Sequence, residues 1–372
     1  MKKLDKITAF NEAELYDLLA PIWESKEIIG ETGIIIGEEG SLSLLGTPIP
    51  GSVVVKNIFA DTLYEEGVDY TLESNKIKRI IGGNLPYFEV DEYFRKEPNA
   101  QIILKADAEK LEYSFPEQRY IYFSEGVEGL NRYIAVSYKI NESLAPDFIV
   151  GDARLQAFVD GLKQKKKAKI LLYGDSITVG CNATGTSYGG NVSPYLPDWN
   201  TLMKLYLEKK YSANIEVCNQ AVCGWGSIHG VENFEKKCAA ESPSSDLFCI
   251  GYGANDLFTS PEDFKANIAN MIEGYFKGNP NGNVLLYSTL LPNNQTIGWR
   301  VNQPLFEKVL LELADEYDRV GVAKVSSTFL WLESQGKQTR DLLANSVNHP
   351  NDFGVRIYAQ VLLKTLFGTE FL

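Results

Sequence analysis

Histidine is almost absent: His229 and His349 are the only two in 372 residues. That scarcity excludes metal sites built from several imidazoles and leaves two candidates for imidazole base catalysis. Cysteine is sparse and unpaired in pattern. Cys181, Cys218, Cys223, Cys238 and Cys249 are odd in number and form no CxxC, which argues against a disulfide framework and a zinc ribbon and reads as reduced thiols of a cytoplasmic protein. No apolar run approaches eighteen residues, so no membrane span is expected. The start, Met1-Lys2-Lys3-Leu4-Asp5-Lys6, is basic but runs into polar residues, so no signal peptide is expected. Positive charge is in deficit, 36 Lys and Arg against 49 Asp and Glu, for a net charge of −13. Such a balance opposes a phosphate backbone or an anionic membrane and makes nucleic acid an unexpected partner.

What is present is ample apolar material, 44% of residues, with only 23% charged. This excludes intrinsic disorder, and the length predicts two domains. From about 34 to 140 the chain carries short β-type runs: Ser52-Val53-Val54-Val55, Gln101-Ile102-Ile103-Leu104, Tyr120-Ile121-Tyr122-Phe123 and Tyr133-Ile134-Ala135-Val136. Gly, Pro, Asn and Asp turn signals separate them, the pattern of an antiparallel sandwich. Asn11 is placed to cap a short helix carrying Leu15, Leu18 and Leu19.

Near Pro146 the pattern changes, and a helix is predicted over about 152–166. The lysines at its end, Lys163 and Lys165 to Lys167, read as a solvated turn complementing the helix dipole. Strand candidates then alternate with helices. They are Lys169 to Tyr173, Ile215 to Val217, Leu247 to Ile250, Val284 to Tyr287 and Val322 to Val325, with helices at about 199–210, 230–241, 262–276 and 303–317 and a last one after Asp352. Alternation of this kind predicts an α/β unit with a parallel five-stranded sheet covered on both faces. The expected domains are a β-sandwich over 1–145 and an α/β domain over 146–372.

Ligands of an open parallel sheet bind beyond the carboxyl ends of its strands. After the first strand comes Gly174-Asp175-Ser176-Ile177, where a serine at a strand-to-helix turn can expose its hydroxyl near free helix amides. After the second comes Cys223-Gly224-Trp225-Gly226, where a glycine lets a backbone N–H approach a ligand. After the third comes Gly253-Ala254-Asn255-Asp256, whose Asn amide can donate to a developing negative charge. Near the end comes Asn348-His349-Pro350-Asn351-Asp352, with Pro350 shaping the backbone at His349. Taken singly, each is explained as well by capping or turn chemistry.

Together and in this order, the four blocks resemble the SGNH (GDSL-type) hydrolase superfamily over about Lys169 to Phe367. The resemblance implies a flavodoxin-like three-layer α/β/α domain, with Ser176 as nucleophile and His349 as general base. The backbone N–H of Ser176, the N–H of Gly224 and the amide of Asn255 would form the oxyanion hole. Many members place Asp three residues before the catalytic His; here the position is Ser346. Asp341 is named as a candidate third triad member, with Asp352 or a backbone carbonyl as alternatives.

A sandwich ahead of such a domain resembles carbohydrate esterase family 2, whose sandwich is jelly-roll-like. That implies a short-chain carboxylesterase, an acetylesterase acting on a small-molecule or oligosaccharide ester, with no cofactor or metal. Trp225 and Trp299 are candidate sugar-stacking surfaces, and the insert from Cys181 to Asp198 a candidate pocket wall. His229 is assigned a helix-start role. Two other readings use the same residues: an acyltransferase with a sugar hydroxyl as acceptor, or a non-catalytic carbohydrate-binding protein with a decayed triad. Oligomeric state is open.

Overall fold

The computed structural model describes residues 1–144 and 146–371. The boundary expected at 145/146 involves Ala145, outside the described residues. The first part of the chain is built from short strands: β1 (Lys2–Lys3), β2 (Glu27–Ile34), β3 (Ser41–Ser43), β4 (Val54–Asn57), β5 (Thr62–Tyr64), β6 (Tyr70–Glu73), β7 (Lys76–Arg79), β8 (Phe94–Arg95), β9 (Tyr120–Ile121) and β10 (Tyr133–Lys139). Two short helices, α1 (Leu15–Leu19) and α2 (Val90–Tyr93), interrupt them. The strands form antiparallel sheets in the orders β1-β5-β4-β10-β2, β3-β7-β6 and β8-β9. The run Gln101 to Leu104 is not a strand. It is loop, and only Lys105 and Ala106 beyond it form isolated bridges, to Tyr120 and Thr296.

The second part alternates α3 (Gln156–Lys165), β11 (Lys167–Gly174), α4 (Ser176–Val179), α5 (Trp199–Tyr211), β12 (Asn214–Asn219), α6 (Ser227–Lys237), β13 (Leu247–Gly251), α7 (Pro261–Gly278), β14 (Asn283–Tyr287), α8 (Gln303–Ala314), β15 (Val320–Ala323), α9 (Val325–Ser334) and α10 (Asp352–Phe367). All five strands are parallel, in the order β12-β11-β13-β14-β15. Ile170, Leu171, Leu172 and Tyr173 of β11 are all fully buried, as a strand covered on both faces requires. The last predicted strand is displaced: it ends at Ala323, and Val325 opens α9. Among the described residues no helix is long and apolar enough to cross a membrane.

Two features bind the parts. One apolar cluster runs without a break from Leu15, Trp23 and Ile28 through β10 to Phe353, Tyr358 and Leu362 of α10. A fully buried ion pair also joins Glu31 of β2 to Lys337 in the turn after α9, at 2.6 Å.

Chain order places the first crevice. β11 sits between β12 and β13, so the connections leave it in opposite directions, and the gap beyond its carboxyl end is the topological switch point where ligands of open α/β sheets bind. Gly174 and Gly251 are register partners at this rim. A Cβ on Gly174 would lie 2.1 Å from Thr178 Oγ1 and 2.4 Å from the Gly251 carbonyl oxygen. The Gly251 carbonyl is backbone at the end of a central strand and cannot step aside. Gly174→Ala is therefore expected to cost about 1–3 kcal/mol, read as a lower urea midpoint. An unchanged midpoint would contradict the tight rim.

Candidate active site

The turn after β11 is fixed by Asp175. Its backbone is extended, and its carboxylate caps α4 by accepting the Ile177 N–H at 2.9 Å. Ser176 thus becomes the first residue of α4, buried, with a backbone N–H that the helix geometry leaves unpaired. Burial pushes the Asp175 carboxyl up to about 7 from an ordinary 3.8, against the lowering effects of the Ile177 N–H and of His349. Between about pH 4 and 7 the folded chain therefore holds a proton that the unfolded chain has released, so stability from this group is full below 4 and is lost as pH rises through 7. Asp175→Asn keeps a capping oxygen and removes the titration. The expected result is a flatter melting temperature between pH 4.5 and 7.5; the wild-type slope in the variant would contradict it.

His349 sits on a loop built around Asn345. The Asn345 Oδ1 accepts the backbone N–H groups of Val347, Asn348 and His349 at 3.0, 3.0 and 3.1 Å. Ser346 takes a left-handed conformation, φ +67°, which turns the loop, and Asn293 Nδ2 donates to its carbonyl at 2.9 Å. Two residues after His349, Asn351 caps α10 by accepting the Phe353 and Gly354 N–H groups. This shaping brings His349 Nε2 to 2.8 Å from Ser176 Oγ, across 173 positions of chain.

The other ring nitrogen, Nδ1, lies 2.6 Å from Asn182 Oδ1 and 3.3 Å from Glu125 Oε2. Both are acceptors, so Nδ1 carries the proton and Nε2 is free to accept from the serine. Asp341 does not take part. It is fully buried elsewhere, its Oδ1 accepting the Ile34 N–H of β2 at 3.0 Å, and the expectation that it orients His349 is corrected. Asp352 is also committed, accepting the N–H and hydroxyl of Thr184 at 2.9 and 2.7 Å. Ser346, at the position where many relatives carry Asp, is buried and has no carboxylate to offer the His349 ring.

Gly224 and Asn255 lie on the two loops flanking Ser176. The second loop is tied to the first by Val222 N–H to the Gly174 carbonyl at 3.0 Å and Asn219 Nδ2 to the Thr178 carbonyl at 2.8 Å. Cys181 and Cys223 approach at 3.5 Å between sulfurs. Gly224 has φ +78°, which glycine alone adopts without strain, and nothing lies within 4 Å of where its Cβ would be. Asn255 Nδ2 donates to the Trp225 carbonyl at 3.0 Å, joining the third loop to the second. Asp256 completes the clamp by accepting the N–H and hydroxyl of Ser227 at the start of α6.

The sequence model of the GDSL-like Lipase/Acylhydrolase family matches residues 172–357, half of the chain, and spans Ser176, Asn182, Gly224, Asn255 and His349 but not Glu125. The chain belongs to that family. It is on that ground a carboxylic ester hydrolase. No curated protein matches the chain. Among solved structures it is similar to a mutant of Axe2, an acetyl-xylooligosaccharide esterase from Geobacillus, at 19% identity over 54% of this chain and 94% of that one, with a TM-score of 0.43. It is also similar to CEX, a two-domain esterase active on acetylated mannans, at 20% identity over 57% of this chain and 52% of that one, with a TM-score of 0.46.

Of the remaining expected site residues, Trp225 is half-buried, edge-on to Tyr173 and stacked on His229. His229 Nδ1 accepts the Gly226 N–H at 3.1 Å, the helix-start role expected of it. Trp299 packs against an apolar cluster that includes Phe88, Tyr93 and Val347. The sequence reading did not single out Asn182 or Glu125. Asn182 lies inside the insert taken as a pocket wall, and no spacing rule marks Glu125.

Proposed function

We propose that this protein is a serine esterase that works through an acyl-enzyme and removes short acyl groups, acetyl foremost, from a carbohydrate. The single observation that carries the mechanism is the 2.8 Å contact between Ser176 Oγ and His349 Nε2. In the first half-reaction the Ser176 oxygen attacks the ester carbonyl while its proton passes to His349 Nε2. The negative charge that develops on the carbonyl oxygen is received by the Ser176 N–H, the Gly224 N–H and the Asn255 amide. The C–O bond to the alcohol then breaks, and the proton on His349 leaves with the alkoxide as a free hydroxyl. Water repeats the sequence on the acyl-enzyme: His349 takes its proton, the acid departs, and Ser176 regains its hydrogen.

The substrate class rests on two supports. A β-rich region precedes the hydrolase unit, the order that resembles carbohydrate esterase family 2. Trp225, adjacent to Gly224, offers an aromatic ring against which the apolar face of a sugar can stack. The proposed units are the β-rich region to about residue 145 and the hydrolase unit beyond it. Acetate release from acetylated oligosaccharides, alongside p-nitrophenyl esters of increasing chain length, tests the reading. Turnover falling steeply beyond the shortest acyl chains is expected; a preference for long chains would contradict a deacetylase. Ester transfer to an added sugar at the expense of hydrolysis would instead favour an acyltransferase.

The oxyanion assignment has its own test. Asn255→Ala is expected to lower kcat by about 10²–10³-fold with KM little changed, because the donor acts on charge present only in the transition state. A loss confined to KM would remove Asn255 from that role.

A further inference from the structure

The carboxylate that many relatives supply three residues before the histidine is replaced here by Ser346, yet His349 Nδ1 does face one. Glu125 lies in the connection between β9 and β10, far from the parallel sheet in sequence. Apolar packing carries it there: Phe123, Leu130 and Tyr133 share one buried cluster with Ala344 and Val347 of the His349 loop. The Tyr133 hydroxyl donates to the Leu343 carbonyl at 2.5 Å. Asn99 braces the segment by exchanging hydrogen bonds with the Phe123 N–H and carbonyl, at 3.1 and 2.7 Å.

The Glu125 carboxylate is itself held. Oε1 accepts from Asn345 Nδ2 at 3.0 Å, the same asparagine whose Oδ1 shapes the His349 loop. Oε2 lies 3.3 Å from His349 Nδ1, and the Glu125 carbonyl accepts from Asn182 Nδ2 at 3.3 Å. Partial burial works against its ionisation, but the facing His349 ring and the neighbouring Asn345 and Asn182 amides outweigh it and hold the carboxyl below its usual range.

We propose that Glu125 is the anionic positioning residue for His349, so that the β-rich region completes the hydrolytic site from outside the family domain. This rests on the Ser176–His349 reading above. The labour at Nδ1 is divided. Asn182, nearer and neutral, fixes the tautomer, while Glu125 supplies the charge that stabilises the imidazolium formed when Ser176 loses its proton. Because Asn182 keeps the tautomer and the Glu125 side chain is 49% exposed, the effect is smaller than for a buried triad carboxylate.

The test uses the full chain carrying Glu125→Gln, Glu125→Ala or Glu125→Asp, with Ser176→Ala as reference. Steady-state kinetics are taken on p-nitrophenyl acetate across pH 4.5–9, with melting temperatures alongside. Glu125→Gln and Glu125→Ala are expected to lower kcat about tenfold with KM within twofold. The acidic limb of kcat/KM is expected to move to lower pH, because an imidazolium without its anion gives up its proton more readily. Glu125→Asp should recover part of both, and all melting temperatures should stay near wild type. If the Gln and Ala variants keep the wild-type kcat and acidic limb, or lose only KM, while Ser176→Ala is inactive, the role of Glu125 is wrong and the serine mechanism stands. Turnover that survives Ser176→Ala removes both.

Discussion

Ser176→Ala is expected to reduce ester turnover by at least about 10⁴-fold, and His349→Ala by a similar factor, with the double variant scarcely worse than either. The equality is the informative part. A hydroxyl is a poor nucleophile until its proton has somewhere to go, and an imidazole 2.8 Å away has no task once the hydroxyl is gone. The two therefore act as one unit, and their losses do not add. Both variants should fold, since neither residue belongs to the buried apolar clusters. Initial rates on p-nitrophenyl acetate, checked against melting temperature, read this directly. A His349→Ala enzyme retaining a tenth of wild-type kcat would show that the proton goes elsewhere.

The largest expected effect on stability lies far from the chemistry. Glu31 and Lys337 are fully buried, 2.6 Å apart. Glu31 also accepts from the Tyr138 hydroxyl at 2.6 Å and from the Leu45 N–H at 3.2 Å. Two buried charges that satisfy one another contribute modestly, but a lone one is costly. Lys337→Met strands the Glu31 carboxylate and is expected to cost about 3–5 kcal/mol in urea unfolding. The double change Glu31→Gln with Lys337→Met removes both charges and should recover much of that loss. Because the pair joins β2 to the turn after α9, the unfolding of both parts should shift together. A Lys337→Met midpoint equal to wild type would contradict this. So would a transition in which only one part moves.

The parallel sheet was legible because its inner strands are buried on both faces and therefore read as continuous apolar runs, as in Ile170-Leu171-Leu172-Tyr173. The exceptions have local causes. Val322 to Val325 looked like one strand, but the strand is spent by Ala323 and Val325 packs as the first residue of a helix. That helix went unpredicted because Ser326-Ser327-Thr328 are poor helix formers; burial of Phe329 and Leu332 holds it instead. Gln101 to Leu104 has strand composition, yet Ile102 and Ile103 are exposed and pair with nothing regular.

In the site, Ser176, Gly224, Asn255 and His349 could be named because four short blocks at strand ends and a helix start, in this order, resemble the SGNH pattern; no block alone says more than a cap or a turn. The partner of His349 could not. Asp341 was named as the candidate, but its carboxylate is spent on the Ile34 N–H. The groups that do reach Nδ1, Asn182 and Glu125, arrive by tertiary packing of an insert and of the β9–β10 connection, which leaves no periodicity or spacing to read.

The most direct test of the central pairing is covalent. Incubation of the full-length protein with an organophosphonate, followed by mass spectrometry of the peptides, should yield a single adduct mapped to Ser176. The adduct should be absent from Ser176→Ala and form orders of magnitude more slowly in His349→Ala. An adduct on another residue, or labelling of Ser176 at the wild-type rate without His349, would contradict the account.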